Sequence, residues 1–259
     1  AVLTFLGVDA QAALGMSAQQ TSVDNTANNL ANASTVGFRK EGLVISSFTE
    51  IMDREVGGME QTSSETMSGH QLQTSSDLSH KSVAHLSQGA LKETGSAFDL
   101  ALDDNGKGLF TIKTSRGIEF TRAGKFRLNN QGFLVTPDGS QLMGHNGPIR
   151  ATGSDFKVSD NGVVSVDGKQ VDRILVSVFE DSEDMKRAGS TAFQAGTPKV
   201  RASSDFSIKQ GFLEMSNVNA LQEMVGLMQV MRNFEANQKA LSANDQRLQK
   251  AVSELGRVR

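Results

Sequence analysis

The sequence predicts an α+β chain in which N- and C-terminal helices pair as a coiled-coil-like domain around an inserted all-β domain and an extended connector. Three observations carry this reading: apolar rows at heptad spacing near both termini, a Ser/Thr-rich stretch after the first of them, and a glycine-punctuated series of short alternating runs in between. The 259 residues are 37% hydrophobic and 21% charged, the composition of a folded protein of one large or two ordinary domains. Cys, Trp and Tyr are absent. Disulfides, thiolate metal sites and cysteine nucleophiles are thereby excluded, and the core must be built from aliphatic residues, Met and the 14 Phe.

Residues 1–45 read as a helix and its exit turn. The first 38 residues carry only Asp9 and Asp24 as ionisable side chains. Leu6, Ala13, Gln20 and Ala27 recur every seven residues, and Met16, Val23 and Leu30 form a second row. The other faces are small or neutral, so protein can surround this helix without burying unpaired charge. The run Asn28 to Phe38 supplies asparagines able to adopt a left-handed cap, then Gly37 for the reversal and Phe38 to pin the exit.

Residues 46–95 are the expected connector. Between Thr62 and Gln88, 11 of 27 residues are Ser or Thr, too polar a stretch to bury a core by itself. Residues 96–205 form the expected all-β domain. Runs such as Leu109 to Lys113 and Phe120 to Arg122 alternate with Asp104-Asn105-Gly106, Asn130-Gln131-Gly132, Pro137-Asp138-Gly139, Asp160-Asn161-Gly162 and Asp167-Gly168, residue types that tolerate the positive φ of tight turns. Arg173 to Phe179 reads as one buried strand, and a fragment of residues 95–205 is expected to fold alone.

Residues 206–259 hold the second helical half, with a helix from Ser216 to Leu255 capped by Ser216-Asn217, about 60 Å long at 1.5 Å per residue. One heptad row is Met224, Met231, Gln238, Asp245 and Val252; the other is Leu227, Phe234, Leu241, Leu248 and Leu255. Leu221, Val225 and Met228 widen the stripe. Gln238 and Asp245 interrupt the first row, which favours specified pairing over maximal stability. The seam residues expected to drive assembly are therefore Leu6, Met16, Val23, Leu30, Met224, Leu227, Met231, Phe234, Leu241, Leu248, Val252 and Leu255.

Several function classes fall away. A net charge of -3 offers no basic field for nucleic acid. No run of 18 apolar residues exists, so no direct membrane span is expected, and Ala1 to Gly7 lack the basic flank of a secretory signal. His70, His80, His85 and His145 lack the spacing of a metal site, and Asp103 to Gly106 and Asp160 to Gly162 lack the spaced acids of a calcium loop. No nucleophile elbow, phosphate loop or zinc-protease motif appears; no enzyme, cofactor or metal is expected. Met215, Met224, Met228 and Met231 suit either core or interface, and Arg232, Glu235 and Lys239 suit a solvated helix face. A secreted adhesin on a helical stalk is a second class of reading, against which the lack of Trp and Tyr counts.

The termini carry a further signal. The run Asn28-Asn29-Leu30-Ala31-Asn32-Ala33-Ser34-Thr35-Val36-Gly37-Phe38, continued by Arg39-Lys40, and the run Gly211 to Asn219 with Glu223-Met224-Val225 and Arg232 to Lys239, resemble the bacterial flagellar rod and hook protein family. Phe98 to Leu102, Phe120 to Gly124 and Asn130 to Leu134 are similar to its β domain. The resemblance implies a structural subunit of the basal-body rod, exported by the flagellar type III apparatus without a cleaved signal. It also implies helical assembly with itself and other axial proteins into a periplasm-spanning hollow shaft that transmits torque and passes export substrates. It marks Asn28, Asn29, Leu30, Asn32, Thr35, Gly37, Phe38, Ser216, Asn217 and Val218 as family motif and turn residues. Within the family, the length of 259 residues favours a rod over a hook-type axial protein; Gly147-Pro148-Ile149 and the stretch Lys250 to Val258 look more like the proximal rod protein of the F type, while Gly211 to Asn219 is also similar to the distal rod protein.

Overall fold

A computed structural model describes residues 2–47, 78–153, 155–179, 185–195, 200–202 and 205–255. Helix α1 spans Val2–Ala31 and helix α2 spans Ala220–Leu255. At 1.5 Å per residue, the 36 residues of α2 extend about 54 Å. Between the helices run β1 (Glu41–Ser47), β2 (Leu78–Ala84), β3 (Leu91–Glu93), β4 (Leu100–Asp103), β5 (Gly108–Thr114), β6 (Gly117–Thr121), β7 (Arg127–Leu128), β8 (Leu134–Val135), β9 (Gln141–Gly144) and β10 (Gly147–Pro148). They are followed by β11 (Phe156–Val158), β12 (Val163–Val166), β13 (Lys169–Arg173), β14 (Val176–Phe179), β15 (Met185–Arg187), β16 (Ala192–Ala195), β17 (Val200–Ala202), β18 (Ser207–Gln210) and β19 (Phe212–Glu214). The chain is thus α+β with an all-β domain. It divides into a β body, residues 28–42 and 83–223, and a second unit of residues 1–27, 43–82 and 224–259.

Within the body, the main sheet among the described residues runs β15-β16-β6-β5-β9-β8-β7, with β10 on β9 and β14 between β5 and β17. A three-stranded sheet β11-β12-β13 and the pairs β18-β4 and β19-β3 complete it. The turn chemistry read from the sequence is what the backbone adopts. Asn105 and Gly106 have φ of 59° and 92°, and Asp167 and Gly168, which join β12 to β13, have 49° and 76°. At Asp167-Gly168, positive φ at both central residues is the geometry of a two-residue hairpin loop whose twist matches its strands.

Strand β5 is buried on both faces, which explains its nearly continuous apolar text. Phe110 and Ile112 enter the main core with Leu100, Leu102, Leu142, Ile149, Ile174 and Ile208. Leu109 faces a second cluster of Phe120, Phe179, Met185 and Phe193. Edge-on ring pairs, Phe110 with Phe126 at 5.5 Å and Phe120 with Phe179 at 5.0 Å, do the packing that Trp and Tyr usually share.

Four expectations change. The run Arg173 to Phe179 is not one strand: β13 ends at Arg173, Ile174 bridges Gly144, and β14 starts at Val176. The C-terminal segment contributes β18 and β19 before its helix, and β3 lies inside the presumed connector, so the body reaches beyond residues 96–205 on both sides. Among the described residues, positive φ outside glycine occurs only at Asn105 and Asp167, so the asparagines from Asn28 to Asn32 are not left-handed caps. Helix α2 is capped by Asn219, whose Oδ1 accepts from the amides of Leu221 (3.1 Å) and Gln222 (3.2 Å), rather than by Ser216-Asn217. Connector residues 48–77 lie outside the described residues.

Candidate functional site

The family-motif residues converge on one place in the β body, the junction between the last turn of α1 and the first turn of α2. Asn29 is 1% exposed and pairs with the backbone of Glu41 in both directions, Nδ2 to carbonyl and amide to Oδ1, each at 2.9 Å. Its amide acts as a surrogate strand for the start of β1. Asn28 supplies the carbonyl that accepts from the amide (3.1 Å) and Nδ2 (2.9 Å) of Asn32, and Thr35 Oγ1 lies 3.2 Å from Asn32 Oδ1. These contacts wind the exit turn without strained asparagines.

Gly37 takes φ of 69°, and its amide donates to the Glu214 carbonyl at 2.8 Å. A Cβ there would lie 2.3 Å from the Ala123 nitrogen, so the residue also permits a close backbone approach. Phe38 is fully buried, with the Arg187 guanidinium 4.6 Å over its ring. That guanidinium also binds the Arg39 carbonyl at 2.8 Å and the Glu41 carboxylate. On the C-terminal side Asn217 is the hub: Oδ1 accepts from the Lys40 amide (2.6 Å), and Nδ2 donates to the carbonyls of His85 and Ser87 (3.0 Å each). Lys40 Nζ pairs with Glu223 in the first turn of α2. Ser216 Oγ accepts from the Val218 amide at 3.2 Å in a local turn.

Beneath these contacts lies a buried ion cluster whose roles sequence reasoning missed. Arg39 and Glu214 are 0% exposed and Arg122 is 1% exposed. Glu214 Oε1 receives Arg39 at 2.6 Å and the Gly89 amide at 2.8 Å, while Oε2 receives Arg122 Nε at 2.6 Å. Arg122 also reaches the carbonyls of Leu102 and Gly108 and the Asp104 carboxylate, the last at 2.7 Å. Burial pulls the Arg39 guanidinium below its ordinary range; the field of Glu214 opposes this and that of Arg122 adds to it. Arg39 Nε and one terminal nitrogen are buried with no hydrogen-bond partner. One signal was available: Arg39 is the first cation after 38 residues without one, and Glu214 stands in an otherwise apolar Phe212-Leu213-Glu214-Met215 run.

The seam residues distribute differently. Met16, Val23, Leu30, Leu227 and Phe234 are half-buried, whereas Met224 and Met231 are 47% and 49% exposed, beside Leu221, Val225 and Met228 at 72%, 56% and 52%. Leu6, Leu241, Leu248, Val252 and Leu255 lie on the helices, and their side chains are outside the described residues. Arg232, Glu235 and Lys239 are exposed. An open groove of about 710 Å³ on the body is lined by Thr35, Val36, Lys113, Arg116, Glu119 and Asp138, among others. Its acids are already engaged: Glu119 takes Arg116 Nε at 2.9 Å and Gln194 at 3.1 Å. Desolvation works to raise Asp138, but hydrogen bonds from Thr136 and Ser140 hold it below the usual carboxylate range. Among the described residues no group of three or more His, Asp or Glu is placed to hold a metal ion, and no helix is long and apolar enough to cross a membrane.

A β body carrying two long terminal helices, with its buried polar chemistry spent on joining chain ends, defines a structural protein. Three family patterns match in chain order: flagella basal body rod protein over residues 11–39, flagellar hook protein FlgE/F/G D1 domain over 105–166, and flagellar basal body rod FlgEFG protein C-terminal over 209–254. The chain is 32% identical to the flagellar basal-body rod protein FlgG of Bacillus subtilis, covering 92% of this chain and 95% of that one. It is 33% identical to the FlgF rod protein of Mesorhizobium japonicum over 97% of both, and 28% identical to the flagellar hook-basal body complex protein FlhO of Bacillus subtilis. The chain belongs to the flagellar basal-body rod protein family. The F- and G-type relatives match it at 33% and 32% identity, so identity alone does not separate the two branches.

Proposed function

We propose that this rod-family subunit polymerises helically through its two terminal helices, paired as a coiled-coil-like layer, to build the hollow shaft of the flagellar basal body. The observation that carries the reading is the apolar stripe on the first three turns of α2. Leu221, Met224, Val225, Met228 and Met231 are about half or more exposed in the single chain and lie on one face by their spacing. A stripe of that kind is buried in the state in which the protein works. The charge-poor text of α1 supports the same reading, because a helix packed on all sides must avoid unpaired charges. A heterologous contact whose rotation does not close generates an open helical assembly, the form a shaft needs.

The partners in this reading are further copies, other axial proteins above and below, and the flagellar export apparatus, which delivers the chain without a cleaved signal to a periplasm-spanning rod. Torque passes through packed helices and through the junction that anchors them to the β body; no catalysis is involved. Gly147-Pro148-Ile149 and the stretch Lys250 to Val258 favour the proximal place in the rod. The similarity of Gly211 to Asn219 to the distal rod protein favours the distal place as the second reading. Electron cryo-tomography of cells lacking this chain, beside a complemented strain, tests both. A rod that stops near the inner-membrane ring supports the proximal place, a rod that halts further out supports the distal one, and a complete rod and hook would remove the subunit reading.

A further inference from the structure

We propose that Glu214 is the closing member of a completion latch: the β body folds its strands first and locks the exit of α1 last, when this carboxylate docks. The geometry points to this order. On the Glu214 side chain three separate stretches meet, through Arg39, Gly89 and Arg122, and its backbone carbonyl receives the Gly37 amide. Every one of those partners precedes it in the chain, the nearest in sequence by 92 residues. Until residue 214 is in place, Arg39 must stay hydrated, because burying a guanidinium with no carboxylate facing it is costly, whereas Arg122 already has Asp104 as a partner. Arg39 makes the dependence acute. Among the described residues its only side-chain hydrogen bond goes to Glu214, and its other two nitrogens have no partner there.

The strands around the cluster do not share this dependence. Strand β5 pairs with β6 through a tight hairpin, which closes at low entropic cost, and with β9, and together they bury Phe110, Ile112 and Leu142 without a hydrogen bond to residue 214 among the described residues. Strand β19 adds as an edge to β3 through three registered pairs. Its closure also places Asn217 on the Lys40 amide and Glu223 on Lys40 Nζ, so the last turn of α1 and the first turn of α2 are fixed together in the same event. A chain missing its C-terminal part therefore presents an open junction, and only a complete subunit presents a closed one. The folding order rests on the structure alone; its consequence for assembly rests on the rod-subunit reading.

Pulse-labelling hydrogen exchange with mass spectrometry during refolding of the full wild-type chain tests the order. Peptides from β5, β6 and β9 should gain protection at least ~10-fold sooner than those containing Gly37, Gly89 and residues 212–215. Simultaneous or reversed protection would overturn the latch. In the Glu214→Gln variant, unfolding followed by far-UV circular dichroism should accelerate at least ~10-fold while folding changes less than ~2-fold, the signature of an interaction absent from the transition state. Slowed folding with unchanged unfolding would overturn it as well. Should that variant not fold, Lys40→Met removes only the outer Lys40–Glu223 bridge and should show the same asymmetry at smaller amplitude. Normal incorporation of a slowly closing variant into rods would remove the assembly consequence and leave the folding order standing.

Discussion

At Gly124 a Cβ would lie 1.6 Å from the Leu100 carbonyl oxygen, in a place where the Leu100 amide already donates to the Gly124 carbonyl at 2.9 Å. Neither backbone can give way without breaking that pairing, so Gly124→Ala should cost about 3 kcal/mol or more. Gly37→Val combines φ of 69° with a 2.3 Å approach to the Ala123 nitrogen and belongs in the same range, above the roughly 1 kcal/mol that left-handed strain alone implies. Gly168→Ala is the control: φ is 76°, but nothing lies within 4 Å, so only the left-handed conformational cost of about 1 kcal/mol applies. Urea titration by far-UV circular dichroism measures all three, since a chain without Trp or Tyr has no useful intrinsic fluorescence. Asp138 supplies an acid-side test. Its folded-state carboxyl titrates below the ordinary value, so its contribution is present above about pH 4 and lost as pH falls through the folded value. Asp138→Asn should flatten that acid limb, and an unchanged limb would remove the role given to the Thr136 and Ser140 hydrogen bonds.

Strand β18 shows where an element escapes the sequence. The run Ser207–Gln210 is four residues long and sits beside the long helical text, so its pairing with β4 has no local signal. Yet Ile208 is fully buried in the main core, opposite Leu102. Replacing Ile208 by Ala should cost about 2–5 kcal/mol, and a fragment ending at residue 205, which lacks β18, should melt at a lower temperature than one extended through β19. Equal thermal transitions for fragments 83–205 and 83–223 would contradict this. The turns, by contrast, were legible because their signal is local: Asp167-Gly168, in the β12–β13 hairpin, and Asn105-Gly106, between β4 and β5, state the turn in two residues. The junction was legible as a motif and not as a mechanism. Asn29, Gly37, Phe38 and Asn217 carry a recognisable pattern, but the Arg39–Glu214–Arg122 cluster joins residues 175 and 92 positions apart, which no periodicity encodes. The N-cap at Asn219 escaped for a different reason: Ser216, Asn217 and Asn219 are all competent caps, and tertiary demand on Asn217 from Lys40, His85 and Ser87 decides among them.

On the scale of the whole molecule, the balance between a soluble single chain and an assembly turns on the stripe of α2. Leu221, Met224, Val225, Met228 and Met231 hold apolar surface in water, while a net charge of -3 gives only weak repulsion between copies. Purified chain should therefore self-associate with rising concentration, and sulfate should promote this more than sodium chloride opposes it, because burial of apolar surface and not ion pairing drives the contact. The variant Met224→Asp/Met228→Asp separates association from folding. Both positions are about half exposed, so the melting temperature should shift by no more than the change expected of surface substitutions, about 0.5 kcal/mol each. Burying two carboxylates in an apolar interface should at the same time weaken association at least ~10-fold. Sedimentation velocity over a concentration series reads the second effect, and thermal circular dichroism reads the first. A variant that melts like the parent and associates like it would show that the stripe is not the assembling face. One that loses substantial stability as a monomer would show that the stripe already packs within the single chain.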